Sequence, residues 1–228
     1  MKKSVVSSIA LLSLGLLLAG CGSSSADKSD NAGKSAKTTQ AGKTSSSKKD
    51  DREITNGPLL KVGQWSNDED MGKITLTKIT APENTVAKDG PVEFKIKDVK
   101  LFKAEPKTKA QRSYDNDYFS TNGVTNPFYY VQIQFNAKNT SANEVQVNGV
   151  KSLVTSTGQQ ISQGQYLNDE SVGETLAANA NSDYVVQALI KTEDQSKIDK
   201  FTINFDSVAN TDTYEDIGTA QPLELPFK

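Results

Sequence analysis

A single thiol at Cys21 and the absence of histidine from all 228 residues set the chemistry this chain can do. Without an imidazole there is no Ser-His-Asp or Cys-His nucleophile, no histidine-ligated zinc or iron, and no histidine pH switch. One cysteine forms no internal disulfide and no thiolate metal site. Carboxylates remain, and two of them can cleave a glycosidic bond unaided. The region from Glu53 to Lys228 holds 24 Asp and Glu, but no motif selects a pair among them. The chain is therefore expected to be no enzyme and to carry no cofactor or metal. Asp68-Glu69-Asp70 and Asp115-Asn116-Asp117 have the oxygen-rich look of calcium ligands, yet neither fits the spacing of a calcium loop. Both are read as solvated loop charge. Gly33-Lys34-Ser35 and Gly42-Lys43-Thr44 imitate the end of a phosphate loop, but Lys28 and Lys37 stand where that loop needs glycine. Ser25-x-x-Lys28, Ser45-x-x-Lys48 and Ser46-x-x-Lys49 have the form of a penicillin-interacting nucleophile, in a stretch that cannot preorganise one.

The residues best suited to holding a partner lie between Glu105 and Pro127. Arg112, Tyr114, Tyr118 and Phe119 sit there with Asp115 and Asp117 in a connection without strand periodicity. Structureless connections longer than about 12–15 residues are uncommon and often functional. Aromatic rings on such a loop present large rigid area at low entropy cost. They are expected to bind a partner or to fold back as a cap on the core. A third feature is the run Lys95, Lys97, Lys100, Lys103, Lys107, Lys109 and Arg112, opposed only by Asp98 and Glu105. It reads as the wet face of a strand, with anionic wall polymer or lipid headgroups as the functional alternative.

The cysteine has a more specific context. Lys2 and Lys3 precede an apolar run from Val5 to Leu18, which ends in Leu18-Ala19-Gly20-Cys21. A basic start, a short apolar core and small residues before the cut describe a secretory signal. The ending resembles the lipobox of bacterial lipoproteins. That resemblance implies diacylglycerol on Cys21, cleavage after Gly20, and a protein held on the outer side of the cell membrane. Two acyl chains anchor where one holds weakly, at about 0.8 kcal/mol per buried methylene.

From Gly22 to Arg52 the chain contains no Val, Ile, Leu, Met or aromatic residue, so it has nothing to bury. As a flexible coil those 31 residues span about 30 Å. The expected organisation is a signal over 1–20, the lipidated cysteine and a disordered tether over 21–58, and a folded domain over 59–228. Seven basic and four acidic residues from Gly22 to Arg52 contrast with 17 basic and 24 acidic residues from Glu53 onward. A folded part of net charge −7 lacks the positive footprint that nucleic acid requires.

The folded part reads as strands, since period-2 runs recur and no ten-residue stretch keeps apolar spacings of three and four. Val131, Ile133, Phe135 and Ala137 alternate with polar neighbours, as do Tyr184, Val186, Ala188 and Ile190, and Phe201, Ile203 and Phe205. Val92, Phe94 and Ile96 continue as Val99 and Leu101 on the other parity, which predicts a bulge at Lys97-Asp98. Ile74 and Leu76, Val145 and Val147, and Leu223, Leu225 and Phe227 complete the set, with Pro222 and Pro226 confining the last strand to an edge. Seven or eight one-sided strands must hide their apolar faces against another sheet. The expected fold is an all-β immunoglobulin-like sandwich, with a closed barrel as the alternative. Val62-Gly63, Tyr129-to-Phe135 running into Lys138-Asn139-Thr140, Leu153-to-Gly158, and Leu176-Ala177 with Tyr184-to-Ile190 carry a resemblance over Leu59 to Phe205. They resemble the immunoglobulin-like domain of uncharacterised Gram-positive lipoproteins, which is similar to that of a secreted mycobacterial immunoprotective antigen. Ala178 replaces the family's usual glycine. The resemblance implies an extracellular sandwich and supplies no catalytic residues. The functional expectation is a binding or accessory module at the cell envelope. An envelope protein, a wall polymer and a host-surface ligand are its candidate partners, and a structural surface protein is the alternative.

Overall fold

The strand runs read from the sequence assemble into three antiparallel sheets in a computed structural model, which describes residues 50–227. The largest sheet is built on two long neighbours, β4 (Val92–Glu105) and β5 (Phe128–Asn139). On one side of β4 lie β2 (Gly72–Thr80), its edge partner β1 (Trp65–Asp68) and, against the first half, β3 (Val86–Asp89). On the far side β5 pairs with β11 (Asn181–Ile190), and β11 with β9 (Leu167–Asp169). A second sheet runs β10 (Glu174–Leu176), β6 (Val145–Val147), β13 (Ala209–Asn210). The third runs β14 (Leu223–Pro226), β12 (Lys200–Phe205), β7 (Val150–Thr155), β8 (Gln160–Ser162).

One apolar face of the large sheet packs against both small sheets. Phe94, Ile133, Phe135 and Val186 from the former share a dry core with Val147, Leu153, Ile203 and Phe205 from the latter. Phe94 stacks on Phe205 at 4.1 Å between centroids, and Phe135 meets both edge-on. No sheet closes on itself, so the fold is an all-β sandwich and the barrel alternative is discarded. Each run named from the sequence falls in a strand, except that Phe227, the last member of the last run, lies just past β14, and the described residues hold fourteen strands rather than seven or eight. The extra ones are mostly short edge pieces whose three or four residues are too few to display a period.

Local chemistry accounts for the register. The ladder between β4 and β5 shifts between Ile96 and Asp98, where the apolar parity changes. Between β3 and β4 a two-residue turn places Gly90 at φ +53, against the Ile217 carbonyl that a side chain would strike. The strand with Pro226 lies at an edge, as proline demands. Asp50–Ile54, which composition assigned to the tether, belongs to the folded part. The Trp65 amide donates to the Arg52 carbonyl at 3.0 Å, and the Ile54 amide to the Trp65 carbonyl at 2.8 Å.

A second apolar cluster occupies the opposite face of the large sheet at one end. Leu76, Phe102, Ala104, Phe128 and Tyr130 are buried there beneath Leu59, Met71 and Phe119. Phe135→Ala should cost about 3–5 kcal/mol, and Gln134→Ala, on the other face, less than about 1 kcal/mol. Thermal melts of the two variants check the strand phase, and equal small losses would contradict it.

Candidate functional site

The 105–127 connection is not the structureless loop expected from its composition. It carries α1 (Lys109–Tyr118), started by a reciprocal cap. The Gln111 amide donates to Thr108 Oγ1 at 3.1 Å, while Gln111 Oε1 accepts from the Thr108 and Lys107 amides. Ser120, at φ +48, ends the helix as the Thr121 amide reaches the Asn116 carbonyl. The helix escapes a periodicity search because it buries no aliphatic stripe. Its one buried residue is Asp115. Thr108-x-x-Gln111 was the readable signal for its start.

The four aromatic and basic candidates separate. Phe119 is fully buried, at 5.9 Å from Phe128 and 5.8 Å from Tyr130, so it caps the core and does not face a partner. Tyr118 is half-buried, and its hydroxyl donates to Gln187 Oε1 on β11. Burial, followed by the nearby Tyr114 and Glu170, pushes that hydroxyl up to about 12. Tyr114 stacks on Tyr118 at 5.7 Å but stands exposed, and Arg112 is partly exposed one turn away from Thr108. Arg112 joins none of the ion pairs among the described residues. Cys21 lies outside the described residues.

Two clefts open where the chain leaves the helix. One of about 210 Å³ is lined by Thr121, Gln159, Tyr166, Leu189, Ile190 and Lys191. The other, of about 220 Å³, shares Leu189–Lys191 and adds Val124, Thr125 and Phe128. Tyr166 and Lys191, absent from the candidates read in the sequence, thus line ground next to α1. Tyr166 sits in a short turn at φ +61, and nothing in its sequence neighbours marks it. A broader cleft of about 610 Å³ lies at the β4 bulge, between Ala81–Asn84 and Lys95, Lys97 and Asn136.

The basic run is not a free stripe. Lys97 pairs with Asp183, Lys103 with Glu105 at 2.9 Å, and Lys100 with Asp98 at 2.8 Å. Lys100 is buried, so the wet-face reading fails at that position. Lys95, Lys107, Lys109 and Arg112 join none of the ion pairs among the described residues, so the run is neutralised in its middle and not at its ends.

Asp115 is likewise not solvated charge. It is fully buried, and neither carboxylate oxygen has a hydrogen-bond partner. Burial, then the negative charges of Asp68 and Asp70, push its carboxyl up to about 7. Those two residues belong to the turn between β1 and β2, where Asp68 Oδ1 accepts from the Asp70 and Met71 amides. Gln111 Nε2 ties the helix to that turn through the Glu69 carbonyl at 3.1 Å. Gly72, at φ +79, lets the turn lie against the Glu105 carbonyl, where a Cβ would come within 2.5 Å. Two acidic clusters far apart in sequence therefore meet in space. Among the described residues no three acidic side chains are already drawn together as a metal cage. The surface at this end presents the exposed Tyr114 ring and, past the helix, a cleft lined in part by the apolar side chains of Leu189 and Ile190.

No protein-family model matches the chain. It is 26% identical over 240 residues to the uncharacterized protein YdhF of Bacillus subtilis strain 168, covering 96% of this chain and 98% of that one. A crystal structure of a functionally unknown protein from Listeria monocytogenes EGD-e matches with a TM-score of 0.45 at 13% identity, over 68% of this chain and 88% of that one.

The buried carboxyl sets a pH dependence. Its folded value lies above the ordinary 3.8, so below about pH 4 both states are protonated and it contributes nothing. Between about pH 4 and 7 the unfolded chain ionises first, and stability falls as pH rises, by at most about 1.4 kcal/mol per pH unit. Above about 7 the full penalty is present. Asp115→Asn should flatten that slope and be the more stable protein at pH 8, by denaturant melts in metal-free buffer. Parallel profiles for the two proteins would refute the assignment.

Proposed function

We propose that the protein is a lipid-anchored binding module on the outer side of the cell membrane, engaging an envelope protein, wall polymer or host-surface ligand through the α1 end of its sandwich. The anchor rests on Leu18-Ala19-Gly20-Cys21, the chain's only cysteine behind a basic and apolar leader. The binding reading rests on one observation above others. The Tyr114–Tyr118 stack carries one ring secured to β11 and one ring exposed, and a cleft lined by Tyr166, Leu189 and Lys191 opens where the chain has left the helix at Thr121. A half-secured aromatic pair offers contact area whose ordering entropy is already spent in the free protein. Among the described residues no helix is long and apolar enough to cross a membrane.

Cys21→Ala should release the protein from membranes without changing its fold, read by fractionation and a melt. Full retention with the leader still removed would end the lipid-anchor reading. Tyr114→Ala combined with Arg112→Ala should weaken capture of the partner from envelope extracts about 30-fold or more, the scale of an aromatic hot spot. The melting temperature should stay within about 2 °C, because neither side chain fills the core. Phe119→Ala, by contrast, should cost about 3–5 kcal/mol of stability.

A further inference from the structure

Asp115 poses a problem of charge. A buried carboxylate without a donor is costly, and such groups are normally paired or bound to a cation. The charges that bear on Asp115 are those of Asp68 and Asp70, both negative, and the other polar groups near it, Tyr114, Tyr118 and Tyr130, are neutral phenols. None of the ion pairs among the described residues includes Asp68, Glu69, Asp70 or Asp115. The helix is nevertheless tied to the acidic turn by Gln111 on the Glu69 carbonyl, and Gly72 seats that turn against the end of β4. A fold that fixes two acidic segments side by side, and buries one carboxylate between them without a partner, lacks positive charge at that place.

We propose that the junction of α1 with the β1–β2 turn is a calcium site, with Asp115 as the fixed ligand and Asp68 and Asp70 as the exposed ones. Asp68 and Asp70 are exposed, so Asp70 can turn inward around an ion without disturbing the core, while Asp68, whose Oδ1 holds the Asp70 and Met71 amides, has its Oδ2 to offer. Such a swing is required, because the carboxylates do not converge on a point without it. The donor set is all oxygen, in a chain with no histidine, which selects a hard cation over zinc or copper. Calcium accepts irregular shells of carboxylates, carbonyls and water, whereas magnesium demands near-ideal octahedra. Few protein ligands place the affinity in the weak range used by extracellular modules, about 10⁻⁴ to 10⁻³ M. Binding fastens α1 to the turn and so fixes Arg112 and Tyr114 in position. The inference stands on this geometry and is independent of the lipid anchor.

The experiment is a melt of the full chain at pH 7.5, with calcium at 0–10 mM and ionic strength held constant. Tyrosine-sensitised terbium luminescence is the second readout, since Tyr114 and Tyr118 lie close enough to act as donors. Calcium should raise the midpoint by about 3 °C or more, magnesium by much less, and calcium should displace bound terbium. Asp115→Asn should abolish the shift and the luminescence while melting no lower than the parent in metal-free buffer. Asp70→Asn, at an exposed position that cannot compromise folding, should weaken calcium binding about 5-fold or more. No midpoint shift, an equal response to magnesium, or a shift retained in both variants would overturn the site.

Discussion

Along the second half of β4, side chains on both faces are buried. Val99 and Leu101 point between the sheets, while Phe102 and Ala104 belong to the cluster on the opposite face. Phe128 and Tyr130 do the same on β5, beside Val131. A two-layer sandwich covers only one side of a sheet, so this end needs a third layer. Phe119, Leu59 and Met71 supply it, from three segments that are not part of either small sheet. The helix exists at this position because the large sheet is apolar on its second face there. Elsewhere that face is polar: Gln187 Nε2 bonds Gln132 Oε1 at 3.0 Å, and Asn136 bonds Asp183.

That division explains what could be read in the sequence. Period 2 marks a strand with one dry face, and Val131 to Ala137, Tyr184 to Ile190 and Phe201 to Phe205 were legible for that reason. The bulge was legible as well, because a change of parity at Lys97-Asp98 has one cheap structural cause. Phe102 and Phe128 were harder, since a doubly buried strand loses its alternation. The helix was invisible to periodicity because what it buries is one carboxylate, one half-buried tyrosine and a residue just past its end, with no aliphatic stripe. Its capping pair was the one local cue. Of the candidate residues, the sequence located the right segment but could not tell Phe119 inside from Tyr114 outside. That distinction depends on which helical face meets the sheet.

In the binding role proposed above, α1 is both lid and display surface, which couples the two tasks. Phe119 and the Tyr118 hydroxyl hold α1 down, so the height at which Tyr114 stands on the surface is fixed. Loops at the end of a sandwich usually owe their adaptability to independence from the core. Here the adaptable part is narrower, because the helix is tied by its cap at one end and by Phe119 at the other. The strain in this arrangement is electrostatic, concentrated where Asp115 faces the turn of Asp68 and Asp70. Local opening of such a lid requires only the loss of a few contacts and leaves the inner core intact.

The sheet edges narrow the mode of recognition further. Strand addition needs a long unpaired edge. In the large sheet β9 offers three residues, and the free side of β1 is engaged by Arg52 and Ile54 through the backbone of Trp65. In the third sheet β14 carries Pro226 and β8 is three residues long. The second sheet's outer strands, β10 and β13, have three and two residues. Short, covered or proline-bearing edges are how soluble β domains avoid pairing with other chains. A domain built this way exposes side chains in place of backbone ladders to its surroundings. In the binding role proposed above, recognition falls to the surfaces between edges, and of these the α1 end combines an exposed ring with a guanidinium outside the ion pairs of the described residues.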